Sequence, residues 1–428
     1  MNNIQFFSSR ENNKFIENLI QSTPEKPDLT ETQHAEWVKN TSDQLIDLCK
    51  TVECLLDLEN YIINATTGKD LPVLLILALK NARSKLYVNE ISKPVKVSVI
   101  FALYKEIERM QEKSEKFPHG ENFLEEKVKQ MQWLFDDNPH ISWQIIAVDD
   151  GCPEGSGKEV ERIAQEKNLP GIKVLYLEEA IRQDIPVTHP LKDTKDSQKG
   201  GSIVYGMWHA SKQATANKHV IAYTDADLST HLGQTGLLMH PIINKHKKIA
   251  IGSRREKTSV SIKKGMRNHR GKLFIYLWKK MLPQMNFITD TQCGFKAFDS
   301  EIVHEITTDM IEKKFAFDIE LLLRSALKDK NSIEIVPIVW IDSEEASTTT
   351  GLSPYLSMLK QIARMQEKYT RPSDEARKFA SLVLEMNQAQ FNYLLEHIPE
   401  EIIRRDPKEF DRFKDVKAED LRRIIQNK

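Results

Sequence analysis

The chain has 428 residues, 40% hydrophobic and 29% charged, enough to bury a substantial core and inconsistent with global disorder. A net charge of −1 gives no overall attraction for nucleic acid. Four cysteines without C-x-x-C spacing argue against a disulfide framework or a metal finger and suit a reducing cytosol. The first residues, Met-Asn-Asn-Ile-Gln-Phe-Phe, show no basic region followed by an apolar core, so no signal peptide is expected. The longest apolar run, residues 71–79, is far short of the roughly 20 residues a membrane-spanning helix needs. A soluble, cytoplasmic protein with at most peripheral membrane contact is therefore expected.

Length suggests about two to three domains. Residues 36–58 and 71–87 carry apolar side chains at helical spacing and no chemical constellation, so 1–92 reads as a helical N-terminal extension for packing or partner binding. The texture changes at Ser92-Lys-Pro-Val. Residues 95–104 are rich in β-branched side chains and predict a strand. A helix broken near Pro118 is expected over 106–131, a strand over 141–148, a helix over 159–167 and a strand over 171–177. Residues 178–197 break the rhythm and read as a loop or lid. A helix over 200–212 follows, then strands at 220–223, 249–254 and 333–340, with a helix opening at 315. Alternating strands and helices over 93–352 predict an α/β domain with a mostly parallel sheet. Residues 353–428 are again helical, punctuated by Pro372, Pro399 and Pro407, and form a C-terminal extension.

The chemistry gathers at strand ends. The apolar run Val220 to Tyr223 ends in Asp225 and Asp227, which share one side of an extended chain and can hold a hard divalent cation beside a phosphate. Alone, such a pair is more often two exposed acids in a turn. Tyr104 and Glu106 follow the first strand, and Asp149 ends the second. Each could be simple helix capping. Three acidic strand ends in one αβ series, however, converge on one crevice, as in a nucleotide-diphosphate site. Lys199-Gly-Gly201 opens a helix in a way that suits an anion, although Gly-Gly is usually just a turn, and it is not a Walker A loop. Of the basic block 254–272, Arg254 and Arg267 are placed to face inward, the rest reading as a solvated face. Phe274, Tyr276 and Trp278 beside that block suit either a membrane surface or an ordinary core helix.

Eight segments occur in order: 98–106, Val148-Asp-Asp-Gly151, Lys199-Gly-Gly201, Asp225-Ala-Asp-Leu-Ser-Thr230, Gly252-Ser-Arg254, Asp290-Thr-Gln-Cys-Gly-Phe-Lys296, Phe317-Asp-Ile-Glu320 and Val336-Pro-Ile-Val-Trp340. Over about residues 94–350 they resemble the family 2 glycosyltransferases of the GT-A fold. The D-T-Q-C-G-F-K segment is particular to the polyprenyl- or dolichyl-phosphate glucosyltransferase branch. The resemblance implies a GT-A, Rossmann-like sheet flanked by helices and an inverting, metal-dependent transfer of a hexose. UDP-glucose is the favoured donor and GDP-mannose a possible one. The acceptor is polyprenyl phosphate or a soluble or protein acceptor.

By the same resemblance Tyr104, Glu106 and Asp149 hold base and ribose. Lys199 and Asp225 lie at ribose and diphosphate. Asp227 ligates Mg²⁺ or Mn²⁺, with Asp225 and Ser229 as further candidate ligands. Arg254 and Arg267 meet an acceptor phosphate, and Asp290 is the acceptor-side base or orienter. The chain departs from the branch at Ala102-Leu-Tyr-Lys-Glu106, Asp149-Asp-Gly-Cys152 and Ser347-Thr348, and no membrane anchor of the kind common in the branch is expected. A second reading is a catalytically silent GT-A domain that binds a nucleotide sugar or a partner, with the helical ends as interaction surface.

Overall fold

The computed structural model describes residues 10–66, 71–213, 217–262, 268–342 and 353–426. Four helices come first: α1 (Arg10–Ser22), α2 (Thr32–Cys49), α3 (Val52–Ala65) and α4 (Val73–Asn89). The helix expected over 36–58 is two, because Lys50 takes a left-handed backbone (φ 58°) and Thr51 caps the next helix by accepting the Cys54 N–H. Residues Val73 to Lys85 of α4 are buried on every side, as in a core helix. Two of its buried cations are matched by one buried acid of α3, with Glu59 2.5 Å from Lys80 and 2.7 Å from Arg83, and the third, Lys85, pairs with Asp137 at 2.8 Å.

The central sheet has strand order β3-β2-β1-β4-β7-β5-β8. Its strands are β1 (Val95–Leu103), β2 (Ile141–Asp149), β3 (Ile172–Tyr176), β4 (Lys218–Tyr223), β5 (Ile249–Ser253), β7 (Lys296–Asp299) and β8 (Ile333–Pro337). All pairs are parallel except the two made by β7, which runs antiparallel to β4 and β5. A second, two-stranded sheet joins β6 (Val260–Ile262) to β9 (Val339–Ile341). The expectation of a mostly parallel sheet between helices, with helical segments at both ends, is met.

Strand alternation sorts the core into two layers. Val97, Val99 and Phe101 of β1 and Val220 and Ala222 of β4 face the N-terminal helices, together with α5 (Phe123–Phe135) and α9 (Thr235–Asn244). Ile100, Ile221 and Tyr223 face the opposite layer. That layer holds α8 (Gly200–Ser211), α10 (Asn268–Met281), α12 (Phe317–Asp329) and the C-terminal helices α13 (Ser353–Tyr369), α14 (Asp374–Glu385), α15 (Gln388–Glu396), α16 (Glu400–Arg404) and α17 (Ala418–Gln426). The aromatic helix beside the basic block is a core helix. Phe274, Tyr276 and Trp278 are buried, and Tyr276 Oη and the Lys280 ammonium donate to the Val416 and Phe413 carbonyls. Among the described residues no helix is long and apolar enough to cross a membrane.

Three expected elements differ. Residues 106–122 are turns instead of helix, because the chain doubles back so tightly that a Cβ at Gly120 would lie 2.6 Å from the Gln111 carbonyl oxygen. The run 333–340 is broken after Pro337, which sends its two halves into different sheets. The lid stretch contains α7 (Leu177–Arg182) and two 3₁₀ turns, over Pro186–Thr188 and Thr194–Asp196. The short helices α6 (Ser156–Glu166) and α11 (Ser300–Thr307) complete the domain.

Candidate active site

The site lies at the carboxyl ends of β1, β2, β4 and β5, where an open α/β sheet binds ligands. β4 ends at Tyr223. The Thr224 N–H still bonds the Ile100 carbonyl at 2.9 Å, and the chain then leaves the sheet carrying Asp225 and Asp227. Asp225 pairs with the Lys199 ammonium. Burial works to raise the Asp225 carboxyl, but Lys199, then Arg254 and Lys127, hold it below its ordinary value. Close approach is needed here, since a Cβ at Gly294 would fall 2.5 Å from Asp225 Oδ2. This explains the glycine in Asp290-Thr-Gln-Cys-Gly-Phe-Lys296.

Asp227 is fixed on both oxygens. Its Oδ1 accepts the Ser229 N–H at 3.0 Å and the Ser229 hydroxyl at 2.5 Å, while Oδ2 lies 3.3 Å from Arg109 Nη2. Ser229 is buried and stands behind Asp227. Arg109 is itself gripped by Glu121 Oε1 and Glu106 Oε2, each at 2.9 Å. Glu106 therefore sits on the Asp227 side of the crevice, and burial pushes its carboxyl up to about 7 despite Arg109. Tyr104 stands 46% exposed at the end of β1, free to cover a flat ligand.

Asp149 is used structurally. Its two oxygens accept the Cys152 and Gly157 N–H groups, both at 2.7 Å, shaping the loop into α6. The neighbouring Asp150 builds the anion turn: it accepts the Lys199 N–H at 2.8 Å and the Ser202 hydroxyl at 2.6 Å. Lys199 is thereby held at a φ of 85°.

Across the crevice Arg254, just beyond β5, forms a forked pair with Asp290. Nε and Nη2 lie 2.8 and 2.7 Å from its oxygens, and the Arg254 backbone N–H adds a third bond at 2.9 Å. The guanidinium also lies 5.2 Å from the Trp340 ring centroid. Burial opposes the Asp290 charge, yet Arg254 holds its carboxyl well below the usual carboxylate range. Asp290 is thus suited to orient a group and poorly suited to accept a proton. Arg267 lies outside the described residues.

A search for relatives by sequence matches dolichyl-phosphate β-glucosyltransferases. That of Trichomonas vaginalis is 26% identical over 248 residues, 56% of this chain and 65% of its own length. Those of Dictyostelium discoideum and Homo sapiens are 25% and 24% identical, each over 58% of this chain. The chain is similar to the dolichyl-phosphate β-glucosyltransferases. It spans about two thirds of the length of these relatives, 65 to 68%. The resemblance read from the ordered motifs is borne out. No family model matches the chain. Glucosyl-3-phosphoglycerate synthase of Mycobacterium tuberculosis, solved with UDP, aligns at a TM-score of 0.43 and 16% identity over 71% of this chain and 86% of that one.

The matching segments hide several working residues that motif reading passed over. Lys296 and Asp318 form a buried pair at 2.7 Å, Tyr223 Oη donates to the same carboxylate, and the Lys296 ammonium also reaches the Cys293 carbonyl at 2.5 Å. This network fixes the loop carrying Gly294 under Asp225. Lys127 is fully buried on α5, burial lowers it to about 8, and no hydrogen-bond partner is described for its ammonium. Arg109, Glu121 and Lys127 come from a stretch expected to be plain helix, so periodicity gave no signal for them.

The donor set fits a hard divalent cation in kind: two partly exposed carboxylates on one wall, needing phosphate oxygens to complete the coordination. Among the described residues no group of three or more His, Cys, Asp or Glu side chains could hold a metal alone.

Proposed function

We propose that this chain is a glycosyltransferase that moves a hexose from UDP-glucose to an acceptor that is either phosphate-bearing, as polyprenyl phosphate is, or a soluble or protein acceptor. The observation that carries the reading is the pairing across one crevice of an open Lys199–Asp225 contact beside Asp227 with a closed Arg254–Asp290 fork. The names of the sequence relatives support both the transfer and the phosphate-bearing acceptor.

In this reading Tyr104 covers the base, and Glu106 and the loop shaped by Asp149 border base and ribose. Lys199 and Asp225 meet ribose and diphosphate. Lys199 can exchange its carboxylate for a phosphate oxygen, because both partners of the pair are partly open to water. Asp227, with Asp225 and with Ser229 behind it, would hold Mg²⁺ or Mn²⁺, which supplies charge neutralisation for a leaving diphosphate. Arg254, together with Arg267, meets the acceptor phosphate. Such an acceptor is already an anion, so it needs positioning more than deprotonation. That agrees with the low basicity of Asp290.

The test is release of nucleotide diphosphate from UDP-glucose and GDP-mannose, with and without Mn²⁺, alongside thermal shift. Binding of UDP-glucose and release that collapses in Asp227→Ala are expected. No binding to either donor, or release indifferent to that substitution, overturns the enzyme reading. Sugar transfer to polyprenyl phosphate in liposomes, set against transfer to soluble phosphomonoesters, decides the acceptor.

A further inference from the structure

The turn Lys199-Gly200-Gly201, bonded on one side by Asp150, is held on the other by the loop 309–314. The Gly201 N–H donates to the Lys313 carbonyl at 2.8 Å. A Cβ at Gly200 would lie 2.4 Å from the Lys314 carbonyl oxygen, so the loop backbone presses directly on the turn. The Lys313 ammonium reaches the Val187 carbonyl at 2.8 Å, tying the lid stretch to the same loop. A displacement of this loop therefore acts directly on Gly200 and Gly201, next to the Lys199 that Asp150 holds.

Two buried carboxylates fix the loop: Glu312, which accepts the Lys314 N–H, and Glu320, which reaches it from α12. Glu320, wholly buried in the first turn of α12, accepts the Ile311 N–H at 2.8 Å and the Glu312 N–H at 2.7 Å. A buried carboxylate is costly unless its lone pairs are met. A further donor comes from the C-terminal helices: Tyr369 Oη, at the end of α13, lies 2.5 Å from Glu320 Oε1. Lys368 adds a bond from its ammonium to the Asp309 carbonyl at 2.8 Å. The rest of α13 adheres through apolar packing of Leu359, Ile362 and Met365. The tyrosine hydroxyl adds nothing to that packing and reaches the loop.

We infer that Tyr369 is a positioning residue: through Glu320 and the loop 309–314 it sets the Lys199-Gly200-Gly201 turn for a nucleotide diphosphate. The C-terminal helices thereby act on the donor wall from behind. The consequence for binding rests on the donor reading above, whereas the mechanical coupling does not.

Hydrogen exchange and UDP binding separate the two. In Tyr369→Phe the amides of 199–203 should exchange faster, and UDP should bind about fivefold more weakly, the worth of one ordinary hydrogen bond. Glu320→Gln should weaken UDP further. The double variant should be no weaker than Glu320→Gln alone, because both act through one loop. Tyr393→Phe, whose ring stacks on His397 at 4.0 Å, controls for loss of a tyrosine hydroxyl in the same helices and should change neither readout. Unchanged exchange at 199–203 in Tyr369→Phe overturns the coupling, even if 309–314 exchanges faster. Faster exchange with no UDP binding by any form leaves the coupling standing and removes the donor reading.

Discussion

The two walls of the crevice use the same chemical device, an aspartate against a cation, in opposite ways. Lys199–Asp225 is a single contact, and its side chains keep 32% and 27% of their surface in water. Arg254–Asp290 is a fork reinforced by a backbone N–H, with 15% and 4% exposed. An open lysine pair costs little to break and can trade its partner for a phosphate. A closed arginine fork cannot lose one member without stranding a buried charge. One wall is therefore built to exchange partners and the other to hold a shape. In the proposed function a nucleotide sugar enters and a nucleotide diphosphate leaves, so the exchangeable wall is the one expected at the donor.

The largest break in that comparison is Asp290→Asn. It leaves Arg254 buried without its counter-charge and should cost about 3–5 kcal/mol of stability. Denaturant unfolding measures it, and a loss under about 1 kcal/mol would show that the pair is not closed in solution. Next comes Asp227→Ala on the open wall. Stability should hold while nucleotide diphosphate release falls by about a hundredfold or more. Lys199→Ala is milder, with UDP affinity falling about ten- to hundredfold for a lost charged hydrogen bond and the melting temperature little changed. Equal losses of stability in Lys199→Ala and Asp290→Asn would erase the distinction between the walls.

How legible each wall was in the sequence follows from the same contrast. Asp225, Lys199 and Arg254 lie at strand ends or a helix start and Asp290 in the loop before β7, and the fold brings the four together. The sheet was legible wherever strands run long and apolar, as in β1 and β2. β7 was not, because four residues between Gly294 and the cap at Asp299 are too few to show a period. Asp149 has a structural use close to helix capping, because Gly157 in the first turn of α6 and Cys152 in the loop before it both donate to its carboxylate. Arg109 and Glu121 could not be found by spacing, since a turn with no periodicity carries them to Asp227. Glu320 was visible as part of a motif, but its task became clear only when the backbone N–H groups of Ile311 and Glu312 and a tyrosine about fifty residues later met on it.

Mild acid is the smallest perturbation, and it separates both walls from the floor of the sheet. Neighbouring cations hold Asp225 and Asp290 below the usual carboxylate range, so both pairs stay charged well into acid. His219, buried near the start of β4, behaves otherwise. Burial, with the Lys96 charge, lowers its imidazole to about 4. Ser98 Oγ accepts from Gln144 at 2.7 Å, so its own proton is free to point at His219 Nε2, 2.9 Å away, which then acts as an acceptor on a neutral ring. The unfolded chain protonates this histidine near its ordinary value of about 6.5 while the folded chain does not. Its contribution to stability is therefore complete above about 6.5 and declines as pH falls toward about 4, by at most about 1.4 kcal/mol per unit. His219→Gln keeps a polar side chain at the position without titrating. Melting temperatures measured from pH 7 to pH 4.5 should fall less steeply in His219→Gln than in the parent, while UDP binding by the folded fraction at pH 5.5 stays the same in both. A parallel decline in the two proteins would mean that the acid-sensitive group lies elsewhere, and the first place to look would then be the carboxylate cluster around Arg109 on the open wall.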